Sequence, residues 1–244
     1  MLATAVASPT RPPLFATTRW SLVAAAGPGE SSAALEELCR LYWFPIYAVI
    51  RKSGKSGEDA KDLTQGFFEM LLERRTLDLA DDSRGRFRSF LLTALKRFLA
   101  NEWHREHAAK RGGGRDLVPL DAELAERLYT GEGEQARSPD ELFDRRWALA
   151  MLDAAMAALE REYREAGRQD EFARLVPSLT AARGETDYAT LARESGSTEG
   201  AARVAVHRLR KRFRALVRAE VARTVLCEDE VDPEMAALMM ALGG

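Results

Sequence analysis

Cysteine and histidine are scarce in this chain, whose 244 residues include two cysteines and three histidines. Cys39 and Cys227 lie far apart and outside any Cys-x-x-Cys pattern, which argues against a disulfide framework and favours a reducing compartment. His104 and His107 do not have His-Glu-x-x-His spacing, and no cysteine lies near them. We therefore expect no metal site and no other cofactor.

Long apolar runs are also missing. No segment approaches the roughly 20 apolar residues that a membrane span needs, and prolines interrupt the apolar start of the N-terminal segment. The glycines of "RGGGR" neither follow a strand pattern nor precede Gly-Lys-Ser/Thr, so they do not form a phosphate-binding loop. With no nucleophile–base pair in view, we expect a cytoplasmic protein without a membrane partner and without enzymatic activity.

The charge is unevenly distributed, although the net charge is only −2. Residues 84–115 contain nine Lys and Arg against two Glu, and residues 203–218 contain seven Lys and Arg and no acid. Between these blocks, residues 116–172 carry fifteen acids and seven bases. Two basic blocks suggest two surfaces for one polyanion. The alternative is that they are simply solvated, arginine-rich helix faces.

Apolar residues recur every three or four positions, and alternation typical of strands is nearly absent, so the predicted fold class is all-α. "KSGKSG" and "KRGGGR" interrupt the pattern, and Ser138 followed by Pro139 predicts a helix start. We predict two small helical domains joined by a flexible linker, plus a short C-terminal helix. The proposed segments are an N-terminal extension (1–32), a first domain (33–112), a linker (113–137), a second domain (138–226) and an acidic tail (227–244).

The segment "DYATLARESGSTEGAARVAVHRLRKRF" predicts a helix-turn-helix. Asp187 can cap the first helix, Gly196 suits a tight turn, and Thr198 can cap the second helix. The second helix would present Glu199, Gly200, Arg203 and His207 on its outer face, which is the face that enters a DNA major groove in such motifs. A plain helical hairpin within a bundle is the alternative.

The same residues carry a resemblance to a known family. "YATLARESGSTEGAARVAVHRLRKRF" resembles region 4 of the extracytoplasmic-function (ECF) sigma factors, with their Gly-x-Ser-x-Gly and His-Arg-Ala-Arg elements. "YWFPIYAVIRKSGKSGEDAKDLTQGFFEMLL" and "GRFRSFLLTALKRFLANEWHREHAAKRGGG" resemble the first and later parts of region 2. The similarity covers most of residues 33–226 in the expected order.

This resemblance implies an RNA polymerase sigma factor that directs core RNA polymerase to promoter DNA, with a region 2-like bundle and a region 4-like helix-turn-helix. An anti-sigma factor or another regulator is a further candidate partner. The residues assigned to the −35 element are Thr198, Glu199, Gly200, Arg203, His207, Arg208, Arg210, Lys211, Arg212 and Arg214. Those assigned to melting and binding the −10 element are Arg97, Asn101, Trp103, His104, Arg105, Lys110 and Arg111. Those assigned to core polymerase are Asp62, Gln65, Phe68 and Glu69.

Some points stay open at this level. Arg97 and Asn101 stand where the family often has Asn and Asp, so the −10 preference is undefined, and Trp103 could either hold an unstacked base or pack in the core. The main alternative function is a conventional helix-turn-helix transcription activator with a helical sensor domain. Such a sensor domain has no need of the basic, aromatic block at residues 87–111.

The C-terminal tail has a helix-start signature at Asp232, followed by Pro233 and Glu234. Met235, Leu238, Met239 and Leu242 then predict one apolar stripe, which should dock on another surface because so short a helix is unstable alone. We favour packing on the second domain. In the alternative, the tail's acids would cover the basic helix and weaken DNA binding.

Overall fold

The computed structural model describes residues 32–73, 87–106, 129, 137–182, 184–225 and 227–243. Within this part of the chain the regular elements are helical, which confirms the predicted all-α class. None of the described helices combines the length and apolarity needed to traverse a bilayer. The α-helices are α1 (Ser32–Lys52), α2 (Gly57–Glu73), α3 (Phe87–Glu106), α4 (Pro139–Glu165), α5 (Gln169–Leu175), α6 (Tyr188–Glu194), α7 (Glu199–Ala222) and α8 (Val231–Gly243). Short 3-10 turns cover Val176–Leu179 and Glu228–Glu230.

The first two helices are separated where the sequence predicts a break. Gly54 adopts a φ of +92°, a conformation that costs glycine little. The Ser56 hydroxyl then accepts a hydrogen bond from the Asp59 backbone N–H at 3.1 Å and caps α2. The turn between α1 and α2 is therefore defined by local interactions.

The start of α4 is a capping box. The Ser138 hydroxyl accepts a hydrogen bond from the Glu141 N–H at 3.2 Å, and the Ser138 N–H donates to the Glu141 carboxylate at 2.8 Å. The hydrogen bonds with Ser138 hold the pKa of Glu141 below its usual range. Ser138 and Pro139 thus begin the helix as predicted.

A single large core joins the helices of the two predicted domains. The Tyr42 ring of α1 contacts the Phe87 ring of α3 edge to face, with 5.0 Å between the ring centroids. It also stacks with the Phe143 ring of α4, with 6.4 Å between the centroids. The same core contains Trp147 of α4 and Val221 of α7. The sequence predicts two bodies on a flexible linker, whereas the described helices of both pack together.

The described residues of the predicted linker are Tyr129 and Arg137, and Tyr129 contacts the first domain. The Arg51 guanidinium at the end of α1 lies over the Tyr129 ring, 4.9 Å from its centroid. The rest of residues 113–136, like residues 1–31 of the predicted extension, lies outside the described part of the chain.

A smaller core lies under the helix-turn-helix. Leu159 at the end of α4, Leu175 of α5, and Val206 and Leu209 of α7 are buried together there. Phe213 of α7 borders both cores. The first half of α7 packs in the small core and its second half packs in the large core. This helix therefore fixes the helix-turn-helix to the other described helices.

The tail helix α8 packs on α4 and α7, as favoured from the sequence. Leu238 is 1% exposed, while Met235 and Leu242 are half-buried. Met239, predicted to share their stripe, is instead 65% exposed. The buried side of α8 is formed by Val231, Glu234 and Leu238, and Met239 falls outside it.

Two acids of the tail make ion pairs away from the start of α7. Asp232 pairs with Arg218 near the end of α7, and Glu234 pairs with Arg88 of α3, with 2.5 Å between Nε and Oε1. The Arg145 guanidinium also donates to the Leu242 carbonyl at 3.3 Å. These contacts place α8 as a clasp across α3, α4 and α7, and they do not cover the outer face of the predicted recognition helix.

Candidate nucleic-acid interface

The helix-turn-helix has the caps that the sequence predicts. The Asp187 carboxylate accepts a hydrogen bond from the Thr190 N–H at 3.0 Å, and this backbone hydrogen bond lowers the pKa of Asp187. Gly196 occupies the turn with a φ of +62°. The Thr198 hydroxyl accepts from the Ala201 N–H at 3.2 Å and starts α7.

The first half of α7 has one buried and one exposed side. Ala202, Val206 and Leu209 are buried, and the last two belong to the small core, as the helical repeat requires. Glu199, Gly200, Arg203 and His207, which the sequence places on the outer face, are all exposed. The helix therefore presents to solvent the side chains that a recognition helix would present to a groove.

Two of the predicted DNA-binding arginines are engaged within the protein. Arg210 donates to the Ser178 carbonyl from Nη2 at 2.6 Å and from Nε at 3.2 Å, and its Nη2 lies 3.3 Å from the Thr186 hydroxyl. Arg212 pairs with Glu162 of α4, with 2.8 Å between Nε and Oε2, and this pair lowers the pKa of Glu162. These guanidinium groups hold α7 against its neighbours.

Three other predicted cations of α7 are available to a ligand. Arg208, Lys211 and Arg214 are exposed and make no hydrogen bond or ion pair within the described part of the chain. At 3.6 residues per turn, Lys211 and Arg214 lie on the same side of the helix as His207, and Arg208 lies beside them. We define the outer face of α7 as Gly200, Arg203, Val204, His207, Arg208, Lys211 and Arg214.

Arg203 is the cation of this outer face that contacts other side chains of the helix-turn-helix. Its guanidinium lies over the ring of Tyr188 from α6, 4.3 Å from the ring centroid. Its nearest Glu199 carboxylate oxygen is 3.7 Å from Nη2, which is an ion pair but exceeds hydrogen-bond distance. The arginine is thus oriented mainly by an aromatic face.

Sequence reasoning missed two residues of this interface. Val204 is 48% exposed, and its position four residues after Gly200 and three before His207 was sufficient to place it on the outer face. Tyr188 had no comparable signal, because its contact with Arg203 depends on how α6 crosses α7. Val204 adds an exposed apolar side chain to this face.

The second predicted surface is on α3. Arg97 and Asn101 are exposed and four residues apart, so they share a face. Trp103 is 56% exposed, which settles its position outside the core. Because Asn101 and Trp103 are only two residues apart, they project from different sides of α3. The side chains of His104 and Arg105, as well as Lys110 and Arg111, lie outside what the structure describes.

The predicted polymerase-binding residues of α2 divide into two groups. Asp62 is exposed and Glu69 is half-exposed, two helical turns apart on one side. Gln65 is 7% exposed and Phe68 is 1% exposed. In this conformation a partner can reach the two carboxylates, while Gln65 and Phe68 belong to the interior that supports them.

The chain was compared with family models, curated proteins and solved structures, and none of them matches it. Within the described residues, no three His, Cys, Asp or Glu side chains are grouped as metal ligands. The interface is therefore interpreted from its geometry and from the sequence resemblance alone.

Proposed function

We propose that this protein is an RNA polymerase sigma factor of the ECF type, which brings core RNA polymerase to promoter DNA. The observation that carries the proposal is the outer face of α7. It presents Arg208, Lys211 and Arg214, which have no hydrogen-bond or ion-pair partner in the described part of the chain, beside Arg203 over the Tyr188 ring. The sequence resemblance to sigma regions 2 and 4 supplies the specific class.

The chemistry of the outer face suits duplex DNA. Cations without protein partners can replace the counterions of the phosphate backbone, which provides affinity independent of base sequence. Arg203 and Val204 can contact base edges, because arginine bonds guanine with two donors and an apolar side chain contacts the thymine methyl. This face would bind the −35 element.

The exposed residues of α3 provide support for a second role on single-stranded DNA. Opening a duplex requires that unstacked bases find aromatic faces and that cations follow the backbone. Trp103 offers such a face at 56% exposure, and Arg97 offers a cation on the same helix. This helix would bind the −10 element as it opens.

The proposed function is tested by transcription in vitro with core polymerase on a library of genomic fragments. Addition of the protein should produce initiation at discrete sites. The variant Asp62→Lys/Glu69→Lys should lose core binding and transcription while its helicity by circular dichroism remains. The matched control Glu165→Lys/Asp170→Lys reverses two exposed carboxylates elsewhere and should bind as the wild type does. No initiation with wild-type protein would refute the proposal.

A second candidate function is a conventional transcription activator, and the shared core favours it. Helices of both predicted domains pack into one body, as suits a single duplex-binding unit. An activator would bind a duplex site tightly without polymerase and would not co-purify with the core enzyme. Co-purification combined with core-dependent initiation would exclude this candidate.

A further inference from the structure

Arg203 differs from Arg210 and Arg212 in the contacts that its guanidinium N–H groups make. The guanidinium of Arg210 is hydrogen-bonded to Ser178, and that of Arg212 to Glu162. Arg203 instead rests on the face of Tyr188 at 4.3 Å and has only the 3.7 Å ion pair with Glu199. Because its N–H donors lie in the guanidinium plane, stacking orients them without occupying them.

The chain contains a matched contrast to this arrangement. Arg168 also lies over a tyrosine, with 4.9 Å to the centroid of Tyr163. However, its Nε and Nη2 each donate to the Glu171 carboxylate at 2.7 Å. In both pairs the guanidinium carbon lies over a tyrosine ring, but of the two arginines only Arg203 makes no hydrogen bond to a carboxylate within the described residues.

Tyr188 is a firm support for this stacking. It is the first residue of α6, directly after the Asp187 cap, and it is half-buried against the small core under the helix-turn-helix. The cap fixes the backbone where Tyr188 begins the helix, and packing against the small core supports its ring. Arg203 is 60% exposed, so its position depends on the surface that Tyr188 provides.

We propose that Tyr188 is a positioning residue that presents Arg203 to one base pair of the DNA site and so sets the preference at that position. This inference rests on the proposed DNA binding by the outer face of α7. Arginine bonds guanine through two parallel donors to O6 and N7, which requires a defined guanidinium plane. Tyr188 defines that plane before the DNA arrives, so less side-chain freedom is lost on binding.

The experiment selects bound sequences from a randomised duplex library with the full-length chain in complex with core RNA polymerase. Arg203→Gln identifies the base pair that Arg203 reads. Tyr188→Leu, which keeps an apolar side chain but removes the aromatic face, should reduce the preference at that same base pair by about fivefold or more. Tyr188→Phe should restore it. Arg203→Gln also removes one positive charge and should lower the salt slope of duplex binding by about one or less, whereas neither Tyr188 variant changes the charge of the chain.

The matched control is Tyr163→Leu, which removes the ring under Arg168 and should leave the preference at the base pair read by Arg203 unchanged. Thermal unfolding of each variant reports whether it is folded, and Tyr188→Met replaces Tyr188→Leu if the latter does not fold.

Two results would overturn the positioning role and leave DNA binding intact. In one, Tyr188→Leu keeps the wild-type preference at the base pair that Arg203→Gln loses. In the other, Tyr188→Leu and Tyr163→Leu weaken preferences equally at many positions, which indicates general loosening of the fold. If the wild type selects no sequence, both this inference and the proposed DNA binding fail.

Discussion

The clasp made by α8 leads to a prediction about Glu234. Its side chain is 2% exposed and pairs with Arg88, which is 12% exposed and lies over the Trp147 ring at 4.8 Å. Glu234→Gln keeps the side-chain volume but removes the charge, so Arg88 is left in the interior with only Asp144 as an ionic partner. Removing one member of a buried pair costs about 3–5 kcal/mol, and because Asp144 remains we expect a loss of about 3 kcal/mol.

The matched control lies on the same helix. Asp232 pairs with Arg218, but the two side chains are 79% and 47% exposed, so solvent screens the pair. Asp232→Asn should therefore lower the free energy of unfolding by only about 0.5 kcal/mol or less. Both substitutions exchange an acid for its amide. The difference between their effects on the free energy of unfolding therefore reports the effect of burying the ion pair.

The measurement is urea unfolding of the full-length chain, followed by circular dichroism. Glu234→Gln should shift the midpoint to lower urea, whereas Asp232→Asn should leave it nearly unchanged. The double variant Arg88→Met/Glu234→Leu removes both buried charges and should recover most of the loss, because the carboxylate that loses Arg88, Asp144, is 39% exposed and can be solvated. Equal effects of the two single variants, or a double variant less stable than Glu234→Gln, would contradict the reasoning.

Three further predictions concern the helix-turn-helix. Arg214→Gln should reduce the salt slope of duplex binding by about one. Arg212→Gln should reduce it less, because the Arg212 guanidinium pairs with Glu162. Equal salt slopes for the two variants in a binding titration would show that Arg212 and Arg214 do not differ in how they contact DNA. Val204→Ala should lower the preference for a T·A pair at one position in a library selection. It should change the free energy of unfolding by less than about 0.5 kcal/mol. An unchanged preference would show that Val204 does not contact the DNA. The lowered pKa of Asp187 means that its charged form stabilises the fold above its unfolded pKa of about 4, and that this contribution is lost as the pH falls through the lower folded value. Asp187→Asn keeps a capping side chain, so it should change little at pH 7 and make stability below about pH 4 less pH-dependent in an acid titration.

The features that the sequence predicted well depend on neighbouring residues. The caps at Ser138, Asp187 and Thr198 and the turn at Gly196 each involve groups within a few positions of one another. Short-range hydrogen bonds and backbone preferences are encoded in the local pattern, so they are readable without a structure. The exposure of Arg203 and His207 follows from the same helical repeat.

The features that it did not predict depend on contacts distant in sequence. Arg212 was expected to contact DNA, but its partner Glu162 lies on another helix. The buried position of Gln65 likewise reflects the packing around α2, and the exposure of Met239 reflects how α8 sits between its neighbours. A run of arginines reveals the charge of a helix, but not which of those charges the protein itself neutralises.

The single core limits the distance between two DNA sites that one chain can contact at once, which matters if the chain binds both promoter elements. By their names the −35 and −10 elements are centred about 25 base pairs apart, roughly 85 Å along the duplex at about 3.4 Å per pair. A compact chain of 244 residues has a radius of gyration of about 18 Å. The contacts of Tyr42 with Phe143, and the packing around Trp147, would therefore have to separate on the polymerase. The measured affinity for core enzyme would then be the intrinsic affinity reduced by the fraction of chains that are open, so weakening this packing would tighten polymerase binding.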